Sequence, residues 1–361
     1  MSAPVKLYAP ERYREPKISQ HTELMFPFWG VTAKETMPFV RTAALQYQYS
    51  KDDFALVDDI ASADYVVIPY QYERLKMVNP GKIAMIRKEA EAAQKPLIID
   101  GAGDLEYPID IPNAVIFRVS QYRYSKKQNE ITIPFVAEDL LETYADGQVQ
   151  LREKPPKPSV GFTGWADMSL KTRTKTALKE LPVTVAALLD GKRGAEHKGV
   201  LFRAEALKAL GREPRIEPHF TARASYSGHV KTIQGDVATV RREFVENLLG
   251  SDYALCVRGD ANSSVRFYEA LSLGRIPLFL DTACVLPVED MLDYRKFCVF
   301  VDWRDVNRIG QILSDFHEKL PPERFKKMQE EARRAYREYL RIDSFSKQLA
   351  RILRERLDRI L

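Results

Sequence analysis

Ser251–Phe279, SDYALCVRGDANSSVRFYEALSLGRIPLF, is the stretch from which the fold can be read. Its apolar opening, Tyr253–Val257, has the composition of a buried strand. Arg258 to Ser264 is a run of Gly, Asp, Asn and Ser, which reads as a loop. Val265 to Leu273 reads as a helix that Ser263 or Ser264 can cap, and Gly274 stops it with Pro277 following soon after. A strand–loop–helix unit of this kind aims free backbone N–H groups and the positive end of the helix at a crevice, where an anionic diphosphate would be stabilised. Arg258 ends the strand and Arg266 falls in the first helical turn, so both can address one anion. Glu269 follows one turn later, where a carboxylate can accept hydrogen bonds from ribose hydroxyls. The same residues also allow a structural reading, in which Arg258, Asp260, Arg266 and Glu269 form an ion-pair network around the helix.

Outward from this unit, short apolar runs alternate with helical patterns. Strands are expected at 63–69, 96–100, 114–119, 159–162, 183–187, 253–257, 276–280 and 297–301. Helices are expected at 82–94, 170–180, 199–210, 236–249, 265–274, 305–318 and 323–339. The alternation predicts an α/β protein with parallel sheets. The proline- and charge-rich segment Leu151–Pro158 predicts a linker, so residues 1–150 and 159 onward form two domains with the site between them, at the carboxyl ends of the strands.

The chain has 361 residues, with 55 Lys and Arg against 50 Asp and Glu. Residues 323–361 hold 12 of these cations and 7 of the anions, so the remaining 43 of each cancel. The excess charge is therefore local, which argues against a distributed nucleic-acid face. Leu349, Ile352, Leu353, Leu357, Ile360 and Leu361 form one helical stripe in this tail, with arginines opposite. A docked terminal helix with a solvated face is expected, and peripheral attraction to anionic lipid is the sharper alternative. No apolar run approaches the ~20 residues needed to cross a bilayer. The polar start, MSAPVKLYAPERYREPK, lacks the apolar core of a secretory signal, and a cytoplasmic setting is expected. Cys256, Cys284 and Cys298 read as small buried hydrophobes. His197, His219 and His317 read as surface residues. The phosphate-loop, dinucleotide-fingerprint, HExxH and GxSxG signatures are absent, as is any Asp-x-Asp pair, so neither a metal nor a cofactor is expected.

Residues 244–305 resemble the C-terminal core of the exostosin family of glycosyltransferases. The likeness is carried, in order, by Arg258-Gly259, Ser264-Val265-Arg266, Glu269-Ala270, Gly274-Arg275-Ile276-Pro277, Leu286-Pro287-Val288-Glu289-Asp290 and Leu292-Asp293-Tyr294 with Phe297. Looser likeness extends to 63–69, Asp100-Gly101, 131–135 and VGFTGW with Arg173 downstream. Ile99 stands where that family often has His.

The resemblance implies a GT-B architecture, with residues 1–150 as an acceptor-side Rossmann-like domain and 159–335 as the donor domain. Residues 336–361 would form an amphipathic helix packing back on the first domain. It implies an inverting, metal-independent transfer of sugar from a nucleotide-diphosphate donor, UDP-sugar favoured, to a hydroxyl of a glycan or lipid-linked acceptor. Arg258, Ser263, Ser264, Arg266, Glu269, Arg173 and Gly164 would then serve the donor. Asp100 or Asp104, with Glu73 also at a strand end, would supply the general base. Arg223 and Tyr226 are further candidates for sugar contact. A GDP-sugar, fucosyltransferase-like enzyme and a catalytically silent sugar- or nucleotide-binding partner of a larger synthase are the alternatives.

Overall fold

The computed structural model describes residues 3–32, 35, 37–166, 174, 176, 178–225 and 228–360, with the side chains of 359 and 360 left aside. Arg173, Tyr226 and Leu361, like most of the helix expected at 170–180, lie outside the described residues. Eleven strands form two sheets among those that are described. The first contains β1 (Val5–Tyr8), β2 (Phe54–Leu56), β3 (Tyr65–Ile68), β4 (Leu97–Asp100), β5 (Ala114–Arg118) and β6 (Glu130–Thr132), in the order β2-β1-β3-β4-β5-β6. The second contains β7 (Ser159–Trp165), β8 (Glu217–Arg223), β9 (Tyr253–Cys256), β10 (Ile276–Asp281) and β11 (Val299–Asp302), in the order β11-β10-β9-β7-β8. Every strand pair in both sheets is parallel. The α/β class expected from the alternation is therefore present, as two Rossmann-like sheets whose carboxyl ends border one cleft.

Fully buried parallel strands read as continuous apolar runs, which is why β3, β4, β5, β9 and β10 were legible. β1, β2, β6 and β8 were not: they are short or polar, and β8 is an edge strand with most of its residues exposed or partly so. The expectation of a strand at 183–187 is corrected. Leu181–Leu189 is a helix with Pro182 in its first turn, where a missing N–H costs nothing, and that start outweighs the β-branched Val183, Thr184 and Val185.

One apolar core lies under the first sheet and continues into the second domain through Phe267, Tyr268 and Leu271 of the helix Val265–Ser272. The chain then returns. The helix Ile342–Ile360 buries Phe345, Leu349 and Leu353 completely in that core, and Tyr65 Oη donates to the Leu353 carbonyl at 2.9 Å. Leu349 and Leu353 of the expected stripe are spent in the core and Ile352 and Leu357 pack against it, so the alternative of membrane contact through them is set aside. Between the lobes, fully buried Asp139 accepts from Arg333 at 2.6 Å and from Arg341 at 3.2 Å. His317 is likewise buried and not a surface residue. It fills the gap between Tyr253 Oη (2.8 Å) and the Pro155 carbonyl (2.7 Å), while burial lowers its pKa. All three cysteines are free and buried, and burial pushes the Cys256 thiol up to about 12.

Candidate functional site

A cavity of about 780 Å³ opens between the two sheets. It lies at the point where the second sheet reverses its winding, between β7 and β9, the place where open parallel sheets receive ligands. From β7 come Thr163, Gly164 and Trp165; from the loop after β9 come Gly259, Asp260, Ser263 and Ser264. The opposite wall carries Asp100, at the end of β4, and Asp104, from the loop after it, together with Glu23.

Arg266 enters this cavity. Its guanidinium lies over the Phe162 ring at 4.4 Å and donates through Nη2 to the Thr163 carbonyl at 2.6 Å. Gly164 makes room for it, since a Cβ there would lie 2.8 Å from Nη2. The Arg266 Nε has no hydrogen-bond partner among the described residues, and burial lowers the pKa of the group. Thr163 Oγ1, Ser263 Oγ, Glu138 Oε1 and Arg223 Nε are also buried without partners among the described residues. Such orphaned polar atoms around one cavity mark where a polar ligand would complete the hydrogen bonding, because buried polar groups rarely go unpaired.

Glu269 lines the same cavity, held at 2.6 Å by Arg241. Arg241 also grips Glu138 with Nε and Nη2, at 3.1 and 2.6 Å, and stacks on Phe39 at 4.6 Å. Burial disfavours its charge, but the two carboxylates outweigh burial and hold its pKa above the ordinary value. This triad was not foreseen. Its one sequence signal is an arginine among the apolar positions Val240, Val245 and Leu248 of the helix Val237–Leu249.

Arg258 is corrected. It does not line the cavity. Its guanidinium is turned away and donates to Tyr122 Oη, to the Ala195 carbonyl (2.9 Å) and to the Asp260 carbonyl (2.6 Å). The structural reading fits this residue, which ties the loop after β9 to the first domain. Ser264 occupies the N-cap position of its helix without a side-chain capping bond, and Ser264 and Ser263 both face the cavity.

On the opposite wall, Asp100 accepts from the Ala102 N–H at 2.8 Å, and burial raises its pKa. Burial raises Asp104 too, helped by Asp260 across the cleft. Glu23, another residue not foreseen, is pushed up to about 8 by burial and by the neighbouring Asp100. Glu73 does not line the cavity; it reaches Lys76 at 3.6 Å. Arg223 lines it while donating to Glu243 at 2.5 Å.

Charge is divided across this space. The second domain contributes Arg203, Arg223, Arg241 and Arg266 against Asp260 and Glu269. The first contributes Glu23, Asp100, Asp104 and Glu138 against Arg74.

The architecture and this cleft define a class: a two-lobed α/β protein with a polar ligand site at the ends of its parallel strands. Residues 184–316 match the Exostosin GT47 domain, so the chain carries an exostosin-like domain, as its motifs implied. Over 98 residues it is 29% identical to a probable glycosyltransferase of Arabidopsis thaliana, a stretch covering 27% of this chain and 20% of that protein. Over 118 residues it is 30% identical to exostosin-1 of Drosophila melanogaster, covering 32% and 15%. A probable arabinosyltransferase of Arabidopsis thaliana matches at 34% over 62 residues, covering 17% and 14%. The chain thus matches a fifth or less of the length of these relatives. A crystal structure of a glycosyltransferase from Rickettsia africae superposes with a TM-score of 0.37 at 10% identity, over 81% of this chain and 76% of that one.

Proposed function

We propose that this chain is an inverting glycosyltransferase that moves a sugar from a nucleotide-diphosphate donor, UDP-sugar favoured, to a hydroxyl of a glycan or lipid-linked acceptor. The observation that carries the reading is the opposed charge of the two cleft walls. When a glycosidic bond to diphosphate breaks, negative charge grows on the leaving group and a proton leaves the attacking hydroxyl. The arginine-rich wall, with Arg266 foremost, is suited to the first event and the carboxylate wall to the second.

In this reading the diphosphate takes the open Arg266 Nε and the hydroxyls of Thr163 and Ser263. Glu269, already oriented by Arg241, accepts from the ribose. Asp100 or Asp104 removes the acceptor proton, beside a Glu23 whose pKa is raised to about 8. Arg258 acts only by positioning the Asp260–Ser264 loop.

Nucleotide release from UDP-, GDP- and CMP-sugars, with and without EDTA, tests this. One donor is expected to be turned over, unaffected by EDTA. Arg266→Ala should lower kcat/KM by roughly 100-fold, the ~3 kcal/mol typical of a lost transition-state donor. Tight nucleotide binding with no turnover on any acceptor would replace the reading with a silent binding partner.

A further inference from the structure

The helix Leu181–Leu189, sequence LPVTVAALL, contains no charged residue, and none of its side chains is buried. Leu181, Val185 and Leu188 follow at helical spacing, with Leu178 one turn earlier and Leu189 beside them. Their exposures are 58%, 51%, 82%, 72% and 86% respectively. An apolar stripe this open is unusual on a water-soluble surface and marks a contact face.

The stripe is fixed and is no loose flap. Just before it, buried Glu180 accepts from His197 Nδ1 at 3.1 Å and from the Lys198 N–H at 2.9 Å. Just after it, Gly194 presses on Trp303, where a Cβ would lie 2.3 Å from the ring. The next residue, Ala195, holds Arg258, so the stripe is coupled to the loop that borders the cleft. On the first domain, exposed Tyr124 donates to Glu196 at 3.0 Å, and this places an aromatic side chain on the same edge.

Charge identifies the occupant. Exposed Lys179 stands at one end of the stripe and exposed Lys192 and Arg193 at the other. The exposed acid here, Asp190, is engaged with the Lys192 N–H, and Glu196 is engaged with Arg193 and Tyr124. Apolar side chains bracketed by lysines, with an aromatic alongside, match the boundary between acyl chains and anionic headgroups.

We propose that the face formed by Leu178, Leu181, Val185, Leu188 and Leu189, with Lys179 and Lys192 at its ends, docks this protein on an anionic lipid bilayer, with the cleft beside the membrane surface. The proposal does not depend on the reaction assigned above.

Sedimentation of the full chain with phosphatidylcholine vesicles, with and without phosphatidylglycerol, tests it. Binding is expected to the anionic vesicles, weaker to the neutral ones, and to fall with salt. L188E combined with L189E should weaken binding at least about tenfold while leaving circular dichroism and nucleotide-sugar hydrolysis unchanged. K179E combined with K192E should remove the preference for anionic lipid. Absence of vesicle binding, or binding unchanged in the L188E/L189E variant, would overturn the proposal. So would a concentration-dependent dimer, without vesicle binding, that this variant abolishes.

Discussion

Glu23 shows how a single carboxyl acquires its properties from its surroundings. Its pKa is raised from the ordinary 4.5 to about 8, first by burial and then by Asp100. The folded protein therefore holds a proton that the unfolded chain releases near pH 4.5. The sign follows: this contribution to stability is complete below the unfolded pKa and is lost as pH rises toward 8. Asp100 and Asp104 shift in the same direction. Glu23→Gln should accordingly flatten the fall in Tm between pH 5 and 8, a difference on the order of 3 kcal/mol at the alkaline end, read by thermal denaturation across pH. An unchanged slope would mean that Glu23 is ionised in the folded protein. Arg241 poses the opposite problem, a buried cation that two buried carboxylates require. Arg241→Ala should cost about 3–5 kcal/mol in denaturant unfolding, because Glu138 and Glu269 are left without their partner. The glutamates themselves were legible only in part. Glu269 has a motif around it, whereas Glu23 and Glu138 sit among apolar residues with no periodic signal.

Among the elements, the helix Gly199–Arg212 carries two glycines in contrasting circumstances. A Cβ on Gly199 would lie 2.0 Å from the Arg258 carbonyl oxygen and 2.5 Å from that of Gly259, so the helix start and the loop after β9 touch backbone to backbone. Gly199→Ala should lower stability by about 1–3 kcal/mol through overpacking, and should also weaken donor binding by moving the loop that bears Ser263. Gly211, in the same helix, has nothing within 4 Å of its Cβ position. Gly211→Ala should stabilise by about 0.5 kcal/mol through reduced backbone entropy. Paired melting curves of these variants check both. The helix Val265–Ser272 ends as its sequence foretold. Gly274 takes φ +67°, and the Arg275 N–H returns to the Ala270 carbonyl at 2.9 Å.

At the scale of the whole molecule, the second sheet keeps a core of its own on one face, around Phe162, Leu255, Leu278 and Leu313, while its other face shares a core with the first sheet. Phe267, Tyr268 and Leu271 share one core with the first sheet, and the terminal helix closes over it. Linker residue Arg152 is pinned to Asp252 at 2.6 Å and by its N–H to Gln329 at 2.9 Å. Calorimetry should therefore give a single cooperative transition, whereas independent lobes would give two. Asp139→Ala should lower its midpoint by stripping the charge partner from buried Arg333 and Arg341. What the amino-acid sequence determined alone was local: the buried parallel strands, the helix that Gly274 stops, and the motif that led to the exostosin resemblance. These follow from the periodicity and backbone preferences of neighbouring residues. The tertiary structure decided which arginine faces the cleft, which carboxyls gather opposite, and which apolar helix stays uncovered. Those outcomes depend on contacts between residues distant in the chain, Arg266 with Thr163 at 103 positions and Arg241 with Glu138 at 103 among them, and no local pattern encodes such contacts.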